Sequence, residues 1–165
     1  MIQTNLDFIA AEALRRADDY EAFAHYIELQ ELSDEKLDAM VETIAASIVE
    51  AIDCTQCANC CRSLDIYLTE ADGKRLADSI DVPLASIVDH EQAQRHGEWG
   101  MFSRKPCRFL DNNLCTIYSH RPESCRVYPV FTPDFRWTVE MILDGVGLCP
   151  IIYNVIEALQ EELNW

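Results

Sequence analysis

Cys54-Thr-Gln-Cys57-Ala-Asn-Cys60-Cys61-Arg62 places four thiols within eight residues. Four more follow at Cys107, Cys115, Cys125 and Cys149. Eight sulfurs in 165 residues need a physical reason. Three are available: disulfides, zinc, or an iron–sulfur cluster. Disulfides persist in oxidising compartments and are rare in the cytosol. The first residues, Met1-Ile-Gln-Thr-Asn-Leu-Asp-Phe-Ile, lack a basic region, and acids soon interrupt the apolar ones, unlike a signal peptide. A cytoplasmic location with reduced thiols is therefore expected, and metal is the better use for them.

The length suits a single domain over residues 1–165 with a real core. The apolar share of 49% and charged share of 25% are ordinary for a globular protein. No apolar run approaches the roughly 20 residues that span a bilayer. A net charge of −16 argues against nucleic acid and anionic membrane as partners. Metal ions are the partners the composition points to, with a protein partner left open. The charge is uneven. Up to Glu50 twelve acids stand against three bases, whereas Trp99 to Trp137 holds six bases and three acids. Bases thus gather where three of the cysteines are, and cationic neighbours favour thiolate, the form that binds metal.

Leu6, Ile9, Ala10, Ala13, Leu14 and Ala17 recur at helical spacing, continued by Phe23, Ala24 and Ile27. Thr4 or Asn5 caps the start. Ser33 caps a second helix whose face is Leu37, Met40, Val41, Ile44, Ile48 and Ile52. These two elements predict a helical hairpin over residues 1–53. Leu64, Ile66 and Leu68 alternate as in a short strand. Thr69 caps a helix from Glu70 to about Ser79, with Asp72 placed to complete the cap. Gly97 to Pro106 reads as loop. Cys107 to Tyr118 reads as a hairpin turning at Asp111-Asn112-Asn113, where Asn and Asp tolerate left-handed backbone. Arg136 to Leu143 reads as a strand, and Pro150 opens a last helix over residues 151–165. The fold class predicted is mainly α with a small β element (α+β), with a cysteine-rich centre over residues 54–150.

A Cys-x2-Cys pair chelates well because two thiolates from one tight turn reach one ion. Cys54, Cys57 and Cys60 have the spacing of three ligands on one [4Fe–4S] cube, and a distant Cys-Pro supplies the fourth ligand in ferredoxin-type runs. Cys149-Pro150 and Cys125 are both candidates for that place. Cys61 directly follows Cys60, and adjacent side chains do not easily grip one ion. Cys61 is expected to serve a second metal, to bridge two, or to remain a free thiol. Eight cysteines also divide into two tetrahedral Zn2+ sites, so the choice between iron–sulfur cluster and zinc stays open. Arg62 and Arg126 are candidates to hydrogen-bond or screen the sulfurs. His120 is weighed as a ligand, with a surface role preferred.

The set Cys54-x-x-Cys57-x-x-Cys60-Cys61, Cys107-Arg-Phe-Leu, Cys115-Thr-Ile-Tyr118, Arg121-Pro122-Glu123-Ser124-Cys125-Arg126 and Cys149 resembles the CxxCxxCC cysteine-cluster (YkgJ-like) family of zinc- or iron-chelating domains. The resemblance covers about Cys54 to Pro150. It implies a metal-chelating domain whose eight cysteines are the ligands. A related cysteine-rich domain in bacterial flagellin lysine methylases looks like an iron–sulfur carrier, which leans the expectation towards [4Fe–4S]. Gly145-Val-Gly147 does not make a methyl-donor loop of Gly-x-Gly-x-x-Gly type. The function expected is metal binding without catalytic activity of its own. The alternatives are an iron–sulfur redox or protein-modifying accessory factor, and a metal chaperone or sensor.

Overall fold

The structure is a computed structural model that describes residues 2–165. In chain order the helices are α1 (Leu6–Arg15), α2 (Ala17–Glu28), α3 (Asp34–Ala51), α4 (Cys54–Cys57), α5 (Asn59–Ser63), α6 (Glu70–Ser79), α7 (His90–Gln94), α8 (Glu123–Val127), α9 (Phe135–Leu143) and α10 (Pro150–Glu162). The strands are β1 (Ile66–Leu68), β2 (Gly100–Phe102), β3 (Leu110–Asp111) and β4 (Leu114–Cys115). This is the mainly α fold with a small β element. The chain forms two compact units: one runs up to Asp53 and resumes at Pro129–Trp165, the other is Cys54–Tyr128. Among the described residues no helix is long and apolar enough to cross a membrane.

The first unit is helical. The Asn5 side chain accepts the Phe8 N–H at 2.9 Å and starts α1. The Ser33 side chain caps α3 through the Lys36 N–H. These are the caps that the sequence offered, and each satisfies an N–H that the first helical turn leaves without a partner. The first periodic stretch is two helices, because the chain turns at Arg16. There the guanidinium donates to Glu157 at 2.6 and 2.8 Å, to Gln160 at 2.7 Å and to Asp19. The N-terminal helices pack chiefly on the C-terminal ones: α3 lies against α10 and α9, α2 against α9, and α1 against α10. Phe23, Ile27, Leu37, Val41, Phe135, Val139, Val155, Ile156 and Leu159 fill the space between them and are almost wholly buried. Each such side chain contributes about 1.5–3 kcal/mol by leaving water.

Residues 136–143 are helix α9, not the predicted strand. Two periods compete within these few residues. Alternation groups Trp137, Val139 and Met141, whereas helical spacing groups Phe135, Val139 and Ile142. The second set is buried, and Trp137 and Met141 are 67% and 69% exposed. The start of α9 is also capped from outside its own sequence. The Asp38 carboxylate of α3 accepts the Asp134 and Phe135 N–H groups, each at 2.9 Å.

The second unit is built on a smaller core of Ile66, Leu68, Leu76, Ile87, Val88, Phe102, Phe109 and Ile117. The predicted loop over residues 97–106 contains β2, which pairs antiparallel with β1 in the register Ile66↔Phe102, Tyr67↔Met101 and Leu68↔Gly100. All three β2 residues are buried, so no alternation marks the strand. Gly100 is needed there, since a Cβ would sit 2.6 Å from Val88 Cγ1. Thr69 and Asp72 complete the cap of α6. Asp72 is buried and also accepts the Glu123 N–H at 3.0 Å, which fixes the start of α8.

Arg136 is the most consequential polar group of the first unit. It is 5% exposed, and it donates to the carbonyls of Ile27, Glu28, Gln30 and Leu32 and to the Asp34 carboxylate. One guanidinium therefore closes the end of α2 and the turn into α3. Arg136→Leu leaves those acceptors without a donor and should lower stability by about 3–5 kcal/mol, read as a shifted urea midpoint with unchanged slope.

Candidate metal centre

Seven of the eight cysteines lie in the Cys54–Tyr128 unit, on three segments. The first segment is α4 and α5. The turn of α4 closes with Ala58 N–H donating to the Cys54 carbonyl at 2.9 Å. Ala58 then takes a left-handed conformation (φ 50°) before α5 begins. That single residue, buried and in a region alanine rarely visits, redirects the chain between Cys57 and Cys60. Cys60 and Cys61 are consecutive residues of α5, with their sulfurs 4.0 Å apart.

The second segment is the predicted hairpin. Asn112 turns it in left-handed backbone (φ 55°), and Leu110 pairs with Cys115. The Cys107 N–H donates to the Cys61 carbonyl at 2.8 Å, which joins the hairpin to α5. The third segment, α8, carries Cys125. It is held by the Asp72–Glu123 bond and by the Ser124 hydroxyl, which donates to the Tyr67 carbonyl at 2.7 Å. Cys107, Cys115 and Cys125 all pack against the apolar core of this unit.

The charges show which thiols share a neighbourhood. The Cys61 thiol is lowered to about 6, first by a hydrogen bond with the Cys60 thiol, then by the Arg62 and Arg121 charges, against burial. Burial pushes the other three up. Cys107 also feels the negative charge of Cys61 and Cys115, and Cys115 feels that of Cys61. Cys125 is pushed up to about 12 by burial and then by Cys61, Cys107 and Cys115. Cys61, Cys107, Cys115 and Cys125 are thus gathered closely enough for their charges to oppose one another.

Two backbone groups prepare these sulfurs for a negative charge. The Phe109 N–H donates to Cys107 sulfur and the Ile117 N–H to Cys115 sulfur, in each case two residues on. The repeated order Cys-x-apolar in Cys107-Arg-Phe109 and Cys115-Thr-Ile117 is the sequence trace of this pair. Ser124 cannot help Cys125 in the same way, since its one proton goes to Tyr67. Cys61, Cys107, Cys115 and Cys125, brought from three segments into range of one another's charge, are soft donors of the kind that suits zinc or iron. Among the described residues no three Cys, His, Asp or Glu side chains already stand together as a finished ion site.

A family model described as "CxxCxxCC: Putative zinc- or iron-chelating domain" matches residues 53–142, more than half of the chain. The chain belongs to the CxxCxxCC family. No curated protein and no solved structure matches it.

In this CxxCxxCC protein the match takes in every cysteine except Cys149. Cys149 lies in the other unit, buried, directly before the first turn of α10. Cys54 is exposed and Cys57 half-buried. Arg62 acts on Cys61 through its charge, as its position suggested. Arg126 instead braces its own loop, donating to the Arg121 and Ser119 carbonyls at 3.0 and 2.9 Å. His120 is exposed on a short turn. Arg121 stacks 3.8 Å above the Tyr118 ring.

These thiol environments predict an order of reaction. In the reduced, metal-free chain at neutral pH, Cys61 should be carboxymethylated ahead of Cys107, Cys115 and Cys125, because only its thiolate is abundant there. Its own rate should fall as pH drops through about 6, where Cys61 gains a proton, and its lead over the other three should narrow as pH rises towards their higher values. Peptide mapping by mass spectrometry after short exposure to iodoacetate reads the order.

Proposed function

We propose that this protein is a thiolate metalloprotein whose metal serves binding and structure, not catalysis, with an iron–sulfur cluster as the leading occupant. The observation that carries the proposal is the shared neighbourhood of Cys61, Cys107, Cys115 and Cys125, drawn from three segments. Burial without an ion leaves three of these thiols protonated and a fourth ionised beside them. An ion would turn that mutual opposition into attraction, and its binding free energy would become folding free energy.

The preference for [4Fe–4S] rests on Cys54, Cys57 and Cys60, whose spacing is that of three ligands on one cube. In this proposal Cys60 and Cys61 serve different centres. Cys149 is a proposed ligand as well, since Cys149-Pro150 has the order with which ferredoxin-type runs end. Zinc is the second reading, favoured by the four-thiol neighbourhood, because four thiolates close a tetrahedral Zn2+ site.

Purification without oxygen followed by iron, zinc and sulfide analysis tests the proposal. Brown protein with iron and labile sulfide in equal amounts supports the cluster. Zinc without sulfide overturns the cluster and keeps the thiolate site. Metal-free thiols in freshly isolated protein overturn both. Cys60→Ala and Cys61→Ala should lower metal content by different amounts, and identical losses would mean that the two share one centre.

Zinc loading of the metal-free chain at neutral pH should release about three protons per ion at the four-thiol site, from Cys107, Cys115 and Cys125, since Cys61 is already ionised. Affinity should rise with pH for the same reason. Calorimetry in buffers of different ionisation heat measures the number. Release of one proton or none would exclude this ligand set.

A further inference from the structure

Arg62 makes a set of contacts that no cysteine spacing requires. Its Nη1 donates to the Cys57 carbonyl at 2.8 Å. Its Nη2 donates to the Asn112 carbonyl at 2.9 Å and also to the Asn113 side-chain oxygen. Asn113 answers in the other direction, with its Nδ2 donating to the Gln56 carbonyl at 3.1 Å. The two side chains thus cross-link the turn that carries Cys54 and Cys57 to the tip of the hairpin that carries Cys115. Both are half-buried, which strengthens hydrogen bonds relative to open water.

The Cys107 N–H to Cys61 carbonyl bond is a backbone tie between α5 and the hairpin region. Strands β3 and β4 are two residues each, too short to hold a rigid platform without help. The Asn112-Asn113 tip would otherwise be the freest part of the hairpin.

We propose that Arg62 and Asn113 form a clamp that fixes the Cys54–Cys61 segment against the hairpin tip, and that this clamp governs how long a bound ion is retained. Both are positioning residues, since neither supplies a ligand. The proposal rests on the thiolate-metal reading above and adds to it what controls metal release. A planar guanidinium reaches two carbonyls and an amide oxygen at once, which an ammonium group on a lysine stem does not. Charge alone is therefore insufficient: Arg62→Lys keeps the positive charge beside Cys61 and breaks the cross-link.

The test uses the full chain loaded with Co2+, whose visible absorption reports tetrahedral thiolate coordination, and with Zn2+, followed by extraction with a chelator. Arg62→Lys and Asn113→Ala are each expected to speed extraction by about 10–100-fold, the usual scale for groups that orient metal ligands. The double variant should be little worse than either single one, because both remove the same cross-link. Arg95→Lys, on the exposed ion pair with Glu91, should leave extraction unchanged. Circular dichroism of the loaded variants should match that of the unaltered chain. If Arg62→Lys fails to fold, Asn113→Ala alone decides the matter, because it truncates one side chain at a hairpin tip. Extraction as slow from Arg62→Lys and Asn113→Ala as from an unaltered protein that holds Co2+ through thiolates overturns the clamp alone. Unaltered protein that takes up neither ion and is isolated without iron or sulfide overturns the thiolate-metal reading and the clamp with it.

Discussion

Placing Cys107, Cys115 and Cys125 against an apolar core, beside a fourth thiol that ionises easily, is the constraint on which the Cys54–Tyr128 unit turns. Each of the three is held back from ionising by burial and by the charge of Cys61. Three buried thiols beside a thiolate stay protonated, since ionising them would set like charges close together in low dielectric. The same arrangement suits a cation that all four can share. The Phe109 and Ile117 N–H groups favour charge on Cys107 and Cys115, against burial.

The other unit solves its stability differently. Its helices bury long apolar stripes, and the buried Arg136 and Asn154 are each bound to several partners at once. Arg136 serves four carbonyls and one carboxylate, and Arg16 serves Glu157, Gln160 and Asp19. Buried or half-buried arginines of this kind add little if replaced with a well-packed apolar group on both sides, yet are costly to remove alone. They are better read as fixing which helices meet than as a source of stability. Nearly all of the acidic excess also lies here: the stretch up to Glu50 alone holds twelve acids against three bases.

Much of this was legible from local signals. Asn5, Ser33 and Thr69 cap helices where their side chains allow it, and the Asp111-Asn112-Asn113 turn forms with Asn112 left-handed. The adjacency of Cys60 and Cys61 left Cys61 to serve a second metal, bridge two or stay free, and Cys61 bears on the ionisation of Cys107, Cys115 and Cys125 while its sulfur contacts Cys60. What stayed hidden depends on partners far along the chain. Helix α9 takes its cap from Asp38, about a hundred residues earlier, so its own sequence fits a strand equally well. Strand β2 is buried on both faces and shows no alternation. The break at Arg16 answers to Glu157 and Gln160 on α10. Asn113 looks like an ordinary turn residue until Gln56 and Arg62 are seen beside it.

Cys60 and Cys61 bring these threads together. Consecutive residues on a helix point about 100° apart, so two such side chains diverge from one axis. Here the sulfurs are nonetheless 4.0 Å apart, and one hydrogen-bonds the other. A proton on Cys60 stabilises charge on Cys61, which is the largest cause of the low Cys61 value. Taking the proton from Cys60 would therefore raise Cys61 again and set two negative sulfurs side by side. The state of one sulfur thus affects the other directly, through the contact between the two side chains. Whatever occupies the thiols around Cys61 must alter the ease with which Cys60 ionises, and linkage makes the effect mutual.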